Sequence, residues 1–221
     1  TKSANTAITY ETVTETNTDI TISTWEYAAL ALESLTAVQV NRELLSFYAG
    51  EMGYALDLSI DDVLAGLVDD FSQTVGTLAV ALAYPDLLEA RQYLDDANAP
   101  QDSRFVVIAP NEEANLLQLD HFIHRDYTDA TGAEKSKDED KAWIGHWMGM
   151  PVYKSTNVEG SNAAGHDNVM AQKESLALVV QMKPKSHHMF DIDYFADKVA
   201  MEHVHGSKEM RDDHGVWLKA G

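Results

Sequence analysis

From about Ala37 apolar residues recur at spacings of three and four. Val40, Leu44, Phe47, Tyr48, Met52 and Leu56 share one side of a helical wheel, which predicts an amphipathic helix. Gly50 and Gly53 lie inside that stretch. Each weakens a helix interior by about 1 kcal/mol relative to Ala, a cost that close approach of another backbone would justify. Ser59–Asp62 (SIDD) has the form of an N-cap followed by first-turn acids. A second helical segment is therefore expected through about Asp70, with a kink or break at Leu58–Ser59. Upstream, Ile8–Glu15 (ITYETVTE) and Ile20–Trp25 (ITISTW) are rich in Thr and β-branched residues and flank a polar turn, Thr16–Asp19. They predict an extended hairpin or a long bent ribbon. An isolated two-stranded ribbon is marginal in water, so this one needs a surface to pack on, either a partner chain or a sheet edge of its own.

Further along, Val75–Ala83 is small and apolar, and Pro85 stands where a first helical residue often lies; the helix carrying Leu87, Leu88, Arg91, Tyr93 and Leu94 ends before Pro100. Arg104–Ile108 is a short continuous apolar run, the pattern of a strand buried on both faces. Pro110 and Asn111 stop it and cap the next helix, with Glu112 and Glu113 well placed in its first turn. Thr128–Lys141 reads as a solvated loop. Val152–Tyr153 is a strand, Gly160–Gly165 a small-residue loop, and Gly145 and Gly149 mark tight packing or a turn between strands. Leu176–Met182 is a β run ended by Pro184. Asp197–Lys208 and Gly215–Lys219 read as two strands of a second hairpin around Arg211–His214. Helices and strands alternate without a βαβ rhythm, which argues for α+β.

The 221 residues are 45% hydrophobic, enough for a real core in one large or two small domains. There is no Cys, so disulfides and thiolate metal sites are excluded. The chain starts at Thr1 with no signal-peptide pattern. Acidic residues number 36 against 16 basic ones, a formal net charge of −20. Tight DNA binding needs clustered Lys and Arg. Here Lys183 and Lys185 form only a pair, and Lys135, Lys137 and Lys141 are interleaved with acids.

Nine histidines raise the question of a metal. His203 and His205 are two apart on a predicted strand, and His121 and His124 three apart near a helix end, so each pair shares a face. His187 and His188 are adjacent and diverge. A zinc site needs three or four convergent ligands, and no H-E-x-x-H spacing occurs. The histidines are therefore expected at the surface or as satisfied polar groups. Asp191–Asp193 and Asp61–Asp62 lack a calcium-loop pattern. No G-x-S-x-G elbow, Walker loop or G-x-G-x-x-G is present.

The order Arg104–Pro110 (RFVVIAP), Asn111–Leu119 (NEEANLLQL), a charged loop, then Ile144–Ser155 (IGHWMGMPVYKS) resembles the central domain of tailed-bacteriophage major capsid proteins, the Hong Kong 97-type fold family. Ala7 to Leu35 resembles the return limb of the E-loop, Ala37–Phe71 the spine helix, Thr74–Met182 the axial domain, and Ala196–Arg211 the β segment that rejoins the peripheral domain. The resemblance implies an α+β Hong Kong 97-type capsid fold with an E-loop hairpin, a peripheral domain with a long spine helix, and an axial α/β domain. It divides the chain into 1–35, 36–73, 74–184 and 185–221, and places a complete member's N-terminal arm and first E-loop limb ahead of Thr1.

The implied function is a shell subunit, not an enzyme and without cofactor or metal. It self-assembles into hexamers and pentamers of an icosahedral capsid around double-stranded DNA, in a virion built in the host cytoplasm. Scaffolding, portal and decoration proteins are the implied partners, with no membrane and no specific DNA contact. The segment from Ile8 to Leu35 has no Lys, so the Lys–Asn cross-links of some members are not expected. The expected subunit contacts are Tyr10, Val13, Ile20, Ile22 and Trp25 on the ribbon, and Arg211, Asp212 and Asp213 at the second hairpin tip. The alternatives are an encapsulin-like nanocompartment shell and an acidic α+β metal-binding enzyme.

Overall fold

Two sheets organise the chain in the computed structural model, which describes residues 17–33, 44–119 and 142–221. Ten strands run in chain order: β1 (Thr24–Glu33), β2 (Thr74–Gly76), β3 (Arg104–Ile108), β4 (Trp143–Trp147), β5 (Met150–Lys154), β6 (Gly160–Ser161), β7 (Gly165–Gln172), β8 (Leu176–Asp191), β9 (Ala196–Glu209) and β10 (Gly215–Ala220). Three helices accompany them: α1 (Leu44–Ala65), α2 (Tyr84–Asp96) and α3 (Pro110–Leu116). A seven-stranded mixed sheet has the order β2-β10-β7-β3-β5-β4, with β6 paired to β7. A three-stranded antiparallel sheet has the order β1-β9-β8. The architecture is α+β.

The larger sheet is covered on both faces, and its strands sort their side chains with a period of two. Val106, Ile108, Met170, Val216 and Leu218 face Leu87, Ala90 and Leu94 of α2 and Leu116 of α3. The alternate residues Phe105, Val107, Val169, Ala171 and Trp217 face Val68 and Phe71, just beyond α1. Buried Asn168 ties these layers together. Its Oδ1 accepts from the Ala109 N–H at 2.6 Å, and its Nδ2 donates to the carbonyls of His166 and Leu218. Fully buried Arg104 donates to Asp95 and to the carbonyls of Ala99 and Pro100, locking the C-terminal end of α2 onto β3.

Several expectations change. The helix from Leu44 to Ala65 is continuous, with no break at Leu58–Ser59. A lone Ser costs a helix interior only about 0.5 kcal/mol, and without Pro nothing forces the backbone out. The N-cap of α3 is Ala109 with Pro110 in the first turn, so Asn111 is inside the helix rather than capping it. Strand β8 does not end at Pro184 but runs for 16 residues to Asp191. Register shifts between Val180 and Met182 and between Met182 and Lys185 take up the proline, on an edge strand where a missing N–H is tolerated. The strands flanking Arg211–His214 form no hairpin: β9 lies in the small sheet and β10 in the large one. The first strand covers Thr24–Glu33 rather than Ile20–Trp25. The predicted strand Ile8–Glu15, the loop Thr128–Lys141, and His121 and His124 lie outside the described residues.

Candidate subunit interface

Among the described residues the small sheet is covered on one face only. Helix α1 packs against β9, β1 and β8, and on the covered side Val199, His203 and His205 of β9 are buried. Along β1 every second residue from Trp25 to Glu33 points the other way and is exposed. Trp25 is 70% and Tyr27 75% exposed. The register sets Trp25 opposite Val204, Tyr27 opposite Glu202 and Ala29 opposite Ala200. The Glu202 carboxylate accepts from the Trp25 indole N–H and bonds His187 Nε2 of β8, each at 2.9 Å. Those two bonds, the indole first, hold Glu202 below the usual carboxylate range. Trp25 is thus oriented by a polar strap across all three strands, and the rings of Trp25 and Tyr27 are left exposed. Beside them lies a shallow trough of about 510 Å³ whose lining includes Ala29, Ala31, Ala200, Met189 and Lys198.

Two further apolar surfaces are open. The β8–β9 turn exposes Met189, Phe190, Ile192, Tyr194 and Phe195. Its shape is set by the Asp191 carboxylate, which pairs with Lys198 and accepts from the Asp193 N–H at 2.9 Å. The Lys198 bond, foremost, keeps Asp191 ionised to lower pH than usual. On α1 the buried side is Met52 and Leu56, whereas Phe47, Tyr54 and Leu58 form an exposed stripe. Among the described residues a Cβ on Gly50 or Gly53 would meet nothing within 4 Å, so no described backbone uses their smallness.

The sequence-predicted contact residues divide. Tyr10 and Val13 lie outside the described residues. Trp25 stands on the open face. Ile20 and Ile22 are half-buried, because the run before β1 stays close to β9. Lys208 Nζ donates to the Asp19 carbonyl at 2.8 Å, and a Cβ on Gly206 would come within 2.4 Å of the Thr21 carbonyl oxygen. Arg211, Asp212 and Asp213 are exposed but occupy a 3-10 turn between the two sheets. There the Asp212 carboxylate accepts from the backbone N–H and the hydroxyl of Ser72. Sequence reasoning missed Tyr27 and the β8–β9 turn. Apolar Met189–Phe195 (MFDIDYF) beyond Pro184 was the available signal.

The histidine expectation holds for His187 and His188, which are exposed and paired with Glu202 and Asp197, and changes for one other pair. His203 and His205 are almost wholly buried, with ring centroids 4.8 Å apart. His203 Nε2 bonds Glu26 at 3.0 Å, while neither ring nitrogen of His205 has a partner. Neither is a surface residue and His205 is not satisfied, because they lie on the face of the small sheet that α1 packs against.

No family model matches the sequence, and no curated protein matches it. Solved structures do. A protein of Mycobacterium phage Che8 superposes with a TM-score of 0.76 at 21% identity, over 96% of this chain and 76% of its own. A chain from the capsid of cyanophage P-SCSP1u gives 0.70 at 17% identity, over 98% and 80%. The fold is the phage capsid fold. An encapsulin, SrpI of Synechococcus elongatus, shares it with a TM-score of 0.61 at 12% identity, over 89% of this chain and 73% of its own. Within this capsid fold the uncovered face of β1, the β8–β9 turn and the outer stripe of α1 carry many of the exposed large apolar side chains among the described residues.

Proposed function

We propose that this chain is the major subunit of a phage capsid, self-assembling into hexamers and pentamers of an icosahedral shell around double-stranded DNA. The observation that carries the reading is a capsid fold whose small sheet exposes Trp25 and Tyr27 with no covering element among the described residues. Large aromatics left in water in this way mark an interaction surface. In this reading β1 continues the E-loop return limb, α1 is the spine helix, the seven-stranded sheet is the axial domain, and β8 with β9 belongs to the peripheral domain. Contact between unlike surfaces of neighbouring copies closes rings, and curvature between rings closes the shell. Permanent contacts of this kind bury on the order of 2,000 Å² or more.

Charge supports a container that does not adhere to its contents. A net charge of −20 repels phosphate, and the basic residues are not clustered. The chain therefore works in the virion by geometry, with scaffolding, portal and decoration proteins as further partners. Likeness to an encapsulin supports a second reading, a protein-filled compartment. Particles purified after nuclease treatment separate the two: protected double-stranded DNA supports the capsid, and its absence with enclosed protein supports the compartment.

A further inference from the structure

We propose that Glu26, His203 and His205 form a divalent transition-metal site, of zinc type, that clamps β1 to β9. Their candidate ligand atoms all lie within 4.8 Å of one another. The fold builds this grouping from two strands. His203 and His205 are alternate residues of β9 and share one face, and the antiparallel register sets Glu26 opposite His203 and Thr24 opposite His205. Three donors on two strands of fixed register form a preset half-cage rather than a chance surface cluster.

The chemistry of the donors selects the ion. Two imidazoles and one carboxylate suit Zn²⁺ and its neighbours and do not suit Ca²⁺ or Mg²⁺, which take oxygen. Three protein ligands leave a fourth position for water, and half-buried Glu26 lies on the solvent side.

Hydrogen bonding alone accounts for part of the arrangement only. The contact between His203 Nε2 and Glu26 satisfies one nitrogen, but His203 Nδ1 and both nitrogens of His205 are buried without partners. Buried polar atoms are nearly always paired, and an imidazole with two orphan nitrogens needs an occupant. Tetrahedral zinc, with bonds of about 2.0–2.1 Å, holds its ligand atoms about 3.3 Å apart. Binding would draw the three atoms, now within 4.8 Å of one another, to that separation, the ion replacing the direct contact between His203 and Glu26.

A metal here would fix β1 to β9 near the start of β1, coupling the order of the exposed face to metal supply. The proposal concerns the single subunit and does not depend on assembly. The test uses the full chain, stripped with a chelator and titrated with Co²⁺ alone. One equivalent should bind with visible d–d absorption of four- or five-coordinate cobalt, and Zn²⁺ should displace it. Glu26→Gln, at a partly exposed position that should not perturb folding, should weaken binding at least about tenfold, and His205→Ala should abolish it. Zinc should raise the melting temperature of the parent chain but not of Glu26→Gln. Absence of cobalt absorption in the parent chain, or uptake unchanged in both variants, would overturn the site; the second outcome would assign the metal to other histidines.

Discussion

The Trp25 indole N–H donates to the Glu202 carboxylate at 2.9 Å, yet the Trp25 side chain remains one of the most exposed large groups in the chain. A polar bond to one edge fixes the ring without covering its faces. Such a ring is prepared for contact rather than used within the subunit. Trp25→Lys with Tyr27→Lys, which sets no like charge against Glu202, should therefore change subunit stability little, within about 1 kcal/mol for exposed strand positions. A buried unpaired charge in an interface costs far more. Thermal melting should register the near-unchanged fold, and electron microscopy should find no closed particles. The corresponding exchange at Ile20 and Ile22 is less discriminating, because both are already half-buried against their own chain.

Gly215 and Gly50 should respond oppositely to the same substitution. A Cβ on Gly215 would lie 2.2 Å from the ring of buried Phe71, so Gly215→Ala overpacks a filled core and should destabilise the subunit by about 1–3 kcal/mol. A Cβ on Gly50 meets nothing among the described residues, and Gly50→Ala should stabilise α1 by about 0.5–1 kcal/mol. Denaturant unfolding of the two variants checks both signs. If a neighbouring copy's backbone lies on α1, Gly50→Ala should also reduce particle yield.

Arg104→Met removes the guanidinium that ties α2 to β3. The carbonyls of Ala99 and Pro100 lose their donor, while Asp95 is left 41% exposed and stays hydrated. The expected cost is about 2 kcal/mol, below that of a fully buried ion pair. Urea unfolding should show a lower midpoint with an unchanged slope.

At the junction between the sheets, burial, with Asp212 and Asp70 nearby, pushes the Glu209 carboxyl above its usual range. A raised carboxylate pKa means that the folded chain binds the proton more tightly than the unfolded one. Stability from this group therefore falls as pH rises from the ordinary value of about 4.3 through the folded value. Glu209→Gln should raise the melting temperature at pH 7 and lose that advantage at pH 4. A gain that persists at pH 4 would show that charge is not its cause.

The larger sheet was legible in sequence because local pattern and tertiary role agree there. Arg104–Ile108 reads as a buried strand and is one, and Pro85 does open a helix. The small sheet was much less so. Tyr27–Glu33 (YAALALE) consists mostly of helix-forming residues, and only pairing with β9 along ten residues makes it a strand. Pro184 signals an end that bulges on an edge strand avoid. Trp25 was singled out in the sequence and is exposed, but the exposure of Tyr27 and Ile192 depends on what fails to cover them, which no local pattern records. The spacing of His203 and His205 gave their shared face; their burial follows from α1, whose packing is non-local.

The central claim is that this fold completes its apolar surfaces with copies of itself. Sedimentation velocity of the purified full-length chain, across a range of concentration and salt, tests it most directly. The account predicts a discrete species at the size of a closed shell, in exchange with free capsomers or subunits. A single slow boundary of the monomer under every condition, from a chain shown to be folded, would contradict it.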